Sequence, residues 1–193
     1  MIEKIIELDK QLFIYLNGMG VSSWDGFWLY MSKTLSLVTI PIFLFFLFYS
    51  FYKLGLKKAI VMIVVVGLLI LSTEQLSIFI KQGVGRLRPC YNTEILEIMR
   101  IVKSHCGGKY SYFSAHAANS FAFASFFALL FKKQSMLLGI LLFLWALLVS
   151  YSRIYIGVHF PLDVITGILI GLFFGFSFAR LPAVFFKIVI KEK

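Results

Sequence analysis

Charge is scarce in this sequence, and negative charge scarcest. Lys and Arg number 19, Asp and Glu only 9, and charged residues make up 15% of the chain; an ordinary soluble domain carries about 25%. Hydrophobic residues fill the difference, at 60% with 22 Phe. A chain of 193 residues cannot hide so much apolar surface in a soluble core, because small domains keep much of their surface wet. An ordinary soluble fold is therefore excluded and a membrane protein expected. Repeats, low-complexity tracts and linkers are also missing, which leaves one domain over residues 1–193. The N-terminus lacks the basic region and apolar core of a signal peptide, because Glu3, Glu7 and Asp9 come too early.

What is present is a series of apolar runs between charges. Residues 34–52 are charge-free between Lys33 and Lys53, and 59–80 carry only Glu74. Residues 117–131 are apolar and are extended backwards by "YSYFSAH"; 134–152 are charge-free between Lys133 and Arg153; 164–186 carry only Arg180. A span needs about 20 residues to cross about 30 Å of hydrocarbon. Lipid offers no partner to open backbone groups, so these should be helices. The expected fold is an all-α polytopic transmembrane bundle of about five spans, and five long runs count against a buried soluble bundle. Ahead of them, Ile2, Ile5, Ile6, Leu12, Phe13 and Leu16 recur near helical spacing and predict an amphipathic helix in the interface. "NGMG" should end it, and "SSWDGFWLYM" should start a second short helix capped by Ser22 or Ser23. Trp24, Trp28 and Tyr30 suit the headgroup belt.

A net charge of +10 invites a nucleic-acid reading, but its placement argues against one. Lys53, Lys57 and Lys58 flank one short loop, Lys132 and Lys133 form another, and Lys187, Lys191 and Lys193 close the chain. Alternating helices put all three groups on one side, which the positive-inside rule makes cytoplasmic. The loops around 81–113 and 153–162 then face outward, with the N-terminus. They are basic too, against the simple rule, so their basic residues should have a local task. Both cysteines, Cys90 and Cys106, fall in one outer loop. They stand as a disulfide or as two free thiols, and a compartment outside the cytoplasm favours the disulfide.

Three outer segments carry candidate chemistry. In "KQGVGRLRP", Lys81 should end a span, Gly83 and Gly85 loosen the chain, and Pro89 stops the helix, so Lys81 and Arg88 can converge. Arg offers a planar fork to two phosphate oxygens and Lys a compact charge, although anionic headgroups could equally occupy such residues. In "YFSAHAANS", Ser114 can cap the next span and leave the backbone N–H groups of Ala115 and His116 for an anion. The bland alternative is an ordinary cap followed by an interfacial histidine. In "YSRIYIGVHFPLD", Arg153 begins the loop, Pro161 pre-sets the last span, and Asp163 lies four residues after His159. A carboxylate on one ring nitrogen leaves the other free as base or nucleophile; a helix cap is the alternative. Each segment is weak alone. Together, on one side, they supply three cations, two histidines and a carboxylate.

On these residues the chain resembles the type 2 phosphatidic acid phosphatases, the membrane branch of the superfamily that includes vanadium haloperoxidases. That family's first motif, Lys, six residues, Arg-Pro, is met by Lys81, Arg88 and Pro89. Its second, Pro-Ser-Gly-His, is met in part by Phe113, Ser114, Ala115 and His116. Its third, Ser-Arg, five residues, His, three residues, Asp, is met by Ser152, Arg153, His159 and Asp163. The resemblance implies a metal-independent phosphatase without cofactor. His159, oriented by Asp163, attacks phosphorus; His116 protonates the leaving oxygen; Lys81, Arg88, Arg153, Ser114 and the N–H groups near Ala115 hold the phosphoryl oxygens. The implied partners are the bilayer and a membrane lipid phosphate, with no nucleic acid and no obligate protein partner. The implied location is a bacterial inner membrane with the site facing the periplasm or exterior. Among substrates, undecaprenyl diphosphate is favoured, lipid A is its main rival, and phosphatidylglycerol phosphate and phosphatidic acid are allowed. Residues 91–109 are expected to shape headgroup choice. Two other readings compete. A transporter of anions or lipids would want more polar residues at mid-membrane than Glu74, Ser72, Thr73 and Asn119. A zinc hydrolase would use His105, His116, His159 and Asp163, beside arginines that repel the metal. Glu74 is left open: it could pair with Lys81, with another site cation, or with a polar group such as Asn119.

Overall fold

In a computed structural model, residues 1–33, 36, 38–103 and 105–182 are described. Among them are seven α-helices and no strand: α1 Ile2–Gly18, α2 Ser22–Met31, α3 Thr39–Leu54, α4 Leu56–Val84, α5 Ala115–Leu130, α6 Met136–Tyr155 and α7 Pro161–Phe178. The five expected spans correspond to α3–α7. Three of these, α4, α6 and α7, are long and apolar enough to cross a membrane by length and composition alone. Helices α3 and α5 have 16 residues each, about 24 Å of rise. The expected start of the first span at Thr34, the end of the last at Phe186 and the terminal Lys187, Lys191 and Lys193 lie outside the described residues.

Helix α5 is the centre of the bundle. Phe121, Phe123, Phe126 and Phe127 are buried on it, and Ala117, Ala118, Ala122 and Ala124 are fully enclosed. Hydrocarbon is as apolar as Phe, so this burial gains packing rather than escape from water. Small residues are what allow it. Gly167, Gly171 and Gly175 lie four apart on α7 and face α5. A Cβ at Gly167 would lie 2.5 Å from the carbonyl oxygen of Ser114, and one at Gly171 would lie 2.9 Å from Phe121 Cβ. The last span is thereby held against the first turn of α5, and that contact brings two of the three predicted segments together. Two short turns, α3–α4 at Gly55 and α5–α6 at 131–135, carry Lys53, Lys57 and Lys58, and Lys132 and Lys133. The ends bearing the predicted site lie at the opposite ends of these helices.

The N-terminal helices depart from expectation in two ways. Ser22 is the first helical residue of α2; its cap is Val21, without a side-chain bond. Helix α1 does expose Ile2, Ile5, Ile6 and Leu12, as an interfacial helix should, but Phe13 is fully buried. Asp9, Phe13 and Asn17, four residues apart, form a second, inward stripe. Phe13 packs edge-on to Phe160, with ring centroids 5.3 Å apart. Asn17 donates to the carbonyl of Tyr155 (2.8 Å), an acceptor left open at the end of helix α6, and also to that of Ile154 (3.3 Å), which the Gly157 N–H already bonds. Helix α1 is therefore bolted to the end of the bundle that holds the candidate site.

Candidate active site

Four helix ends meet around the site. Helix α4 runs through Gly83 and ends at Gly85, whose left-handed φ of 65° serves as the cap. Gly85 alone, not both glycines, turns the chain, and Lys81 stays on the last helical turn. Arg88 follows in the loop, where its Nη1 donates to Cys106 O (2.6 Å) and its Nε to Tyr110 O (3.2 Å). Arg153 lies on the last turn of α6, buried, and donates to Ser32 at the end of α2 through both the Ser32 carbonyl (3.2 Å) and its hydroxyl. The Nε of Arg153 is buried with no hydrogen-bond partner among the described residues. Among the described residues, none of Lys81, Arg88 and Arg153 is paired with a carboxylate. Their positive charges nevertheless bear on one another and on the same two histidines.

The segment "FSAH" makes the turn that its spacing predicts. Ser114 is the N-cap of α5: its hydroxyl accepts the N–H of Ala117 at 3.4 Å, and its own N–H donates to Asp163 O at 3.0 Å. Ala115 and His116 open the helix, where first-turn N–H groups lack intrahelical acceptors. The third segment differs from the expected face-sharing pair. Pro161 fixes the start of α7, so His159 sits in the connection before the helix and Asp163 on its first turn. Asp163 Oδ2 accepts the N–H of Phe160 at 2.9 Å, as a helix cap, and lies 3.4 Å from His159 Nδ1. That nitrogen makes no aligned hydrogen bond among the described residues. Burial, and then the charges of Arg153, Arg88 and Lys81, hold His159 well below its ordinary pKa of 6.5. Its ring is therefore neutral at pH 7, as a nucleophile or base requires.

Sequence reasoning passed over Arg86, because the motif spacing selects Arg88. Arg86 bridges two buried carboxylates, Asp163 at 2.9 Å and Asp9 at 2.5 Å, and stacks over Phe160 with its guanidinium carbon 4.0 Å from the ring centre. Asp9 also accepts the N–H of Leu162 at 2.8 Å. Helix α1 thus grips the first turn of α7 beside His159. The signal in the sequence was Asp9 itself, a carboxylate on the Phe13–Asn17 face of an amphipathic helix. Ser32 was missed for want of any signal: only the fold brings it to Arg153.

The outer loop doubles back on itself. Arg88 N–H donates to Lys109 O (3.1 Å) and Ser111 N–H to Arg86 O (2.8 Å), and Cys90 and Cys106 are joined as a disulfide with Cα atoms 6.3 Å apart. The carbonyl that grips Arg88 belongs to Cys106, so the cross-link and the cation share a strand of loop. Without reductant, alkylation followed by intact mass should find no free thiol, and with reductant two. Replacing both cysteines by serine should lower thermal stability in detergent by about 3 kcal/mol, the value of closing a loop of this size in the chain-entropy model. Two thiols alkylated without reductant would contradict the cross-link. His105 is exposed on the same loop. Among the described residues no three His, Cys, Asp or Glu side chains stand together as metal ligands, so the set that the zinc reading needs is not assembled. Of the partners open to Glu74, it takes Asn119, whose amide donates at 2.5 Å.

Residues 57–187 match the family model described as the PAP2 superfamily. The chain is 37% identical over 182 residues to a lipid A 4'-phosphatase of Bacteroides thetaiotaomicron, a match covering 92% of this chain and 78% of that one. It is 31% identical over 176 residues to an undecaprenyl-diphosphatase of Sulfolobus acidocaldarius, covering 90% and 78%. The crystal structure of Aquifex aeolicus LpxE superposes with a TM-score of 0.69 at 27% identity, covering 90% of this chain and 95% of that one.

Proposed function

The chain belongs to the PAP2 superfamily, and from that premise we propose that it is a membrane lipid phosphatase that removes phosphate from a lipid A-type headgroup through a phosphohistidine. One observation carries the reading: three cations, Lys81, Arg88 and Arg153, bear on two histidines, and none of the three forms an ion pair with a carboxylate among the described residues, although Asp163 and Glu74 act on Lys81 from further off. Buried positive charge without a partner is costly unless an anion supplies one. A phosphoryl group does so, and the negative charge that builds on its oxygens during transfer is what such a clamp stabilises. His159 Nε2, the ring nitrogen away from Asp163, forms a bond to phosphorus while the ester oxygen leaves with a proton from His116. His116 then takes a proton from water, which attacks the phosphohistidine and frees phosphate and His159. Ser114 and the N–H groups of Ala115 and His116 complete the phosphoryl cradle.

On substrate, the resemblance alone favours undecaprenyl diphosphate, and the relatives support the other order: the lipid A phosphatase is 37% identical and the undecaprenyl-diphosphatase 31%. Basic turns at one end of the bundle and the disulfide loop at the other support an inner-membrane protein whose site faces the periplasm. The test is phosphate release by purified protein in detergent from lipid A, undecaprenyl diphosphate, phosphatidylglycerol phosphate and phosphatidic acid. Lipid A is expected to give the highest kcat/KM. Release from none of the four would overturn the phosphatase reading, and a clear preference for undecaprenyl diphosphate would overturn the substrate.

A further inference from the structure

Glu74, Thr73 and Asn119 have no part in the chemistry above, yet they form a connected polar chain inside the bundle. The Thr73 hydroxyl donates to Asn119 Oδ1 at 2.5 Å, and Asn119 Nδ2 donates to Glu74 Oε1 at 2.5 Å. Thr73 is fully buried, with its hydroxyl also 2.9 Å from Ile70 O, and the Glu74 carboxylate, which can only accept, fixes which way the amide faces. That leaves Glu74 Oε2 and the second amide hydrogen of Asn119 without a hydrogen-bond partner among the described residues.

Both residues stand on the wall of a cavity of about 350 Å³ between α3, α4, α5 and α6. Lys33 and Thr39 also line it, Lys33 without an ion pair to Glu74 among the described residues. The rest of the wall is mostly apolar, with Phe43, Ile70, Trp145 and Val149, and the exposed Ile40 and Leu44 of α3 place its mouth on the bundle's outer face. His116 is on the same wall. Asn119 follows it by three residues on α5, so the carboxylate–amide pair lies about 4.5 Å along the helix from His116, away from the phosphate clamp. A purely structural bridge between α4 and α5 would be sealed between them. Here a carboxylate is presented to a cavity at membrane depth, where an acceptor without a donor is expensive. Lys81 feels the charge of Glu74, but the two are not within ion-pair distance.

We propose that this cavity receives the alcohol half of the substrate, and that Glu74 and Asn119 bind hydroxyl or amide N–H donors close to the oxygen that leaves phosphorus. The substrate class follows. An acylated amino-sugar phosphate carries such donors beside its phosphate-bearing carbon. A polyprenyl diphosphate does not: its leaving group is a second phosphate, which brings only acceptors and negative charge towards a carboxylate. This inference rests on the phosphatase reading and on His116 facing the leaving oxygen.

The test compares two lipids on one protein in detergent: lipid A, with donors, and dodecyl phosphate, without them. Glu74→Leu and Asn119→Leu are expected to lower kcat/KM for lipid A, relative to dodecyl phosphate, by about tenfold or more, the loss of a hydrogen bond to a charged group. Glu74→Gln, which keeps an acceptor and the shape, should lose less of the ratio. A ratio unchanged in both leucine variants, however far the absolute rates fall, overturns the inference and leaves the phosphatase reading standing. A wild-type protein that hydrolyses neither lipid overturns that reading first, and this one with it.

Discussion

Replacing His159 by alanine is expected to abolish turnover, with kcat lower by about 10⁴-fold or more, the scale seen when a nucleophile is deleted from a unit of cooperating residues. KM should change much less, because Lys81, Arg88 and Arg153 still hold the phosphoryl group. Phosphate release by the purified variant at the wild-type rate would end the nucleophile assignment. The same residue predicts a pH dependence. Burial first, and the three cations second, hold its pKa well below 6.5. The folded protein therefore keeps His159 neutral as pH falls through 6.5, and the acid limb of kcat/KM that belongs to this group should lie well below that value. Stability follows the opposite sense of protonation. Below pH 6.5 the unfolded chain takes up a proton that the folded site refuses, so the stabilising contribution is complete above pH 6.5 and is lost as pH falls towards the lowered value. A His159 imidazole that NMR finds titrating at or above pH 6.5 in the folded protein would contradict the burial.

Removing Arg86 is the second large effect. Asp9 and Asp163 are both buried, and Arg86 is the cation they share. Arg86→Met should cost about 3–5 kcal/mol, because two buried carboxylates then lose the ion-pair partner they share. Thermal unfolding in detergent reads this directly. Adding Asp9→Asn to Arg86→Met should recover part of the stability, since one stranded charge is gone. It should not restore kcat, since Asp163 beside His159 is still unbalanced. Burial already pushes the Asp9 carboxyl above its usual 3.8, against the pull of Arg86 and the Leu162 N–H. Without Arg86 the shift should grow. A folded state that holds its proton more tightly than the unfolded chain gains stability as pH falls, so the deficit of Arg86→Met should shrink in acid. An unfolding temperature unchanged by Arg86→Met would show that the pairing contributes nothing.

Much of the site was legible because chemistry and spacing are local properties. Lys81 and Arg88 lie seven residues apart across a glycine cap, and Ser114 and His116 open one helix. His159 and Asp163 lie four apart across Pro161. Each relation is set by a turn or a helix start that the neighbouring residues dictate. The membrane spans were legible for a similar reason, since charge-free runs of this length have no other stable home. Where the reading slipped, the cause was competition over distance. Phe13 belongs by periodicity to the interfacial stripe of α1, but Phe160 offers it a packed site. Asp163 reads as the partner of His159 and lies 3.4 Å from it, but its oxygens also take Arg86 and the Phe160 N–H at shorter range, which no local pattern announced.

By itself, then, the sequence determined a helical membrane bundle of the PAP2 superfamily and pointed to the candidate side chains at one of its ends, because hydropathy, helix caps and residue chemistry act over a few residues. Only the tertiary structure decided what braces that end. Asp9, Asn17 and Ser32 come from the first 32 residues and reach Arg86 and Leu162, the carbonyls at the end of α6, and Arg153. These are bonds across more than 75 positions of chain. A buried polar group needs a partner wherever the fold can supply one, and no local pattern says where that will be.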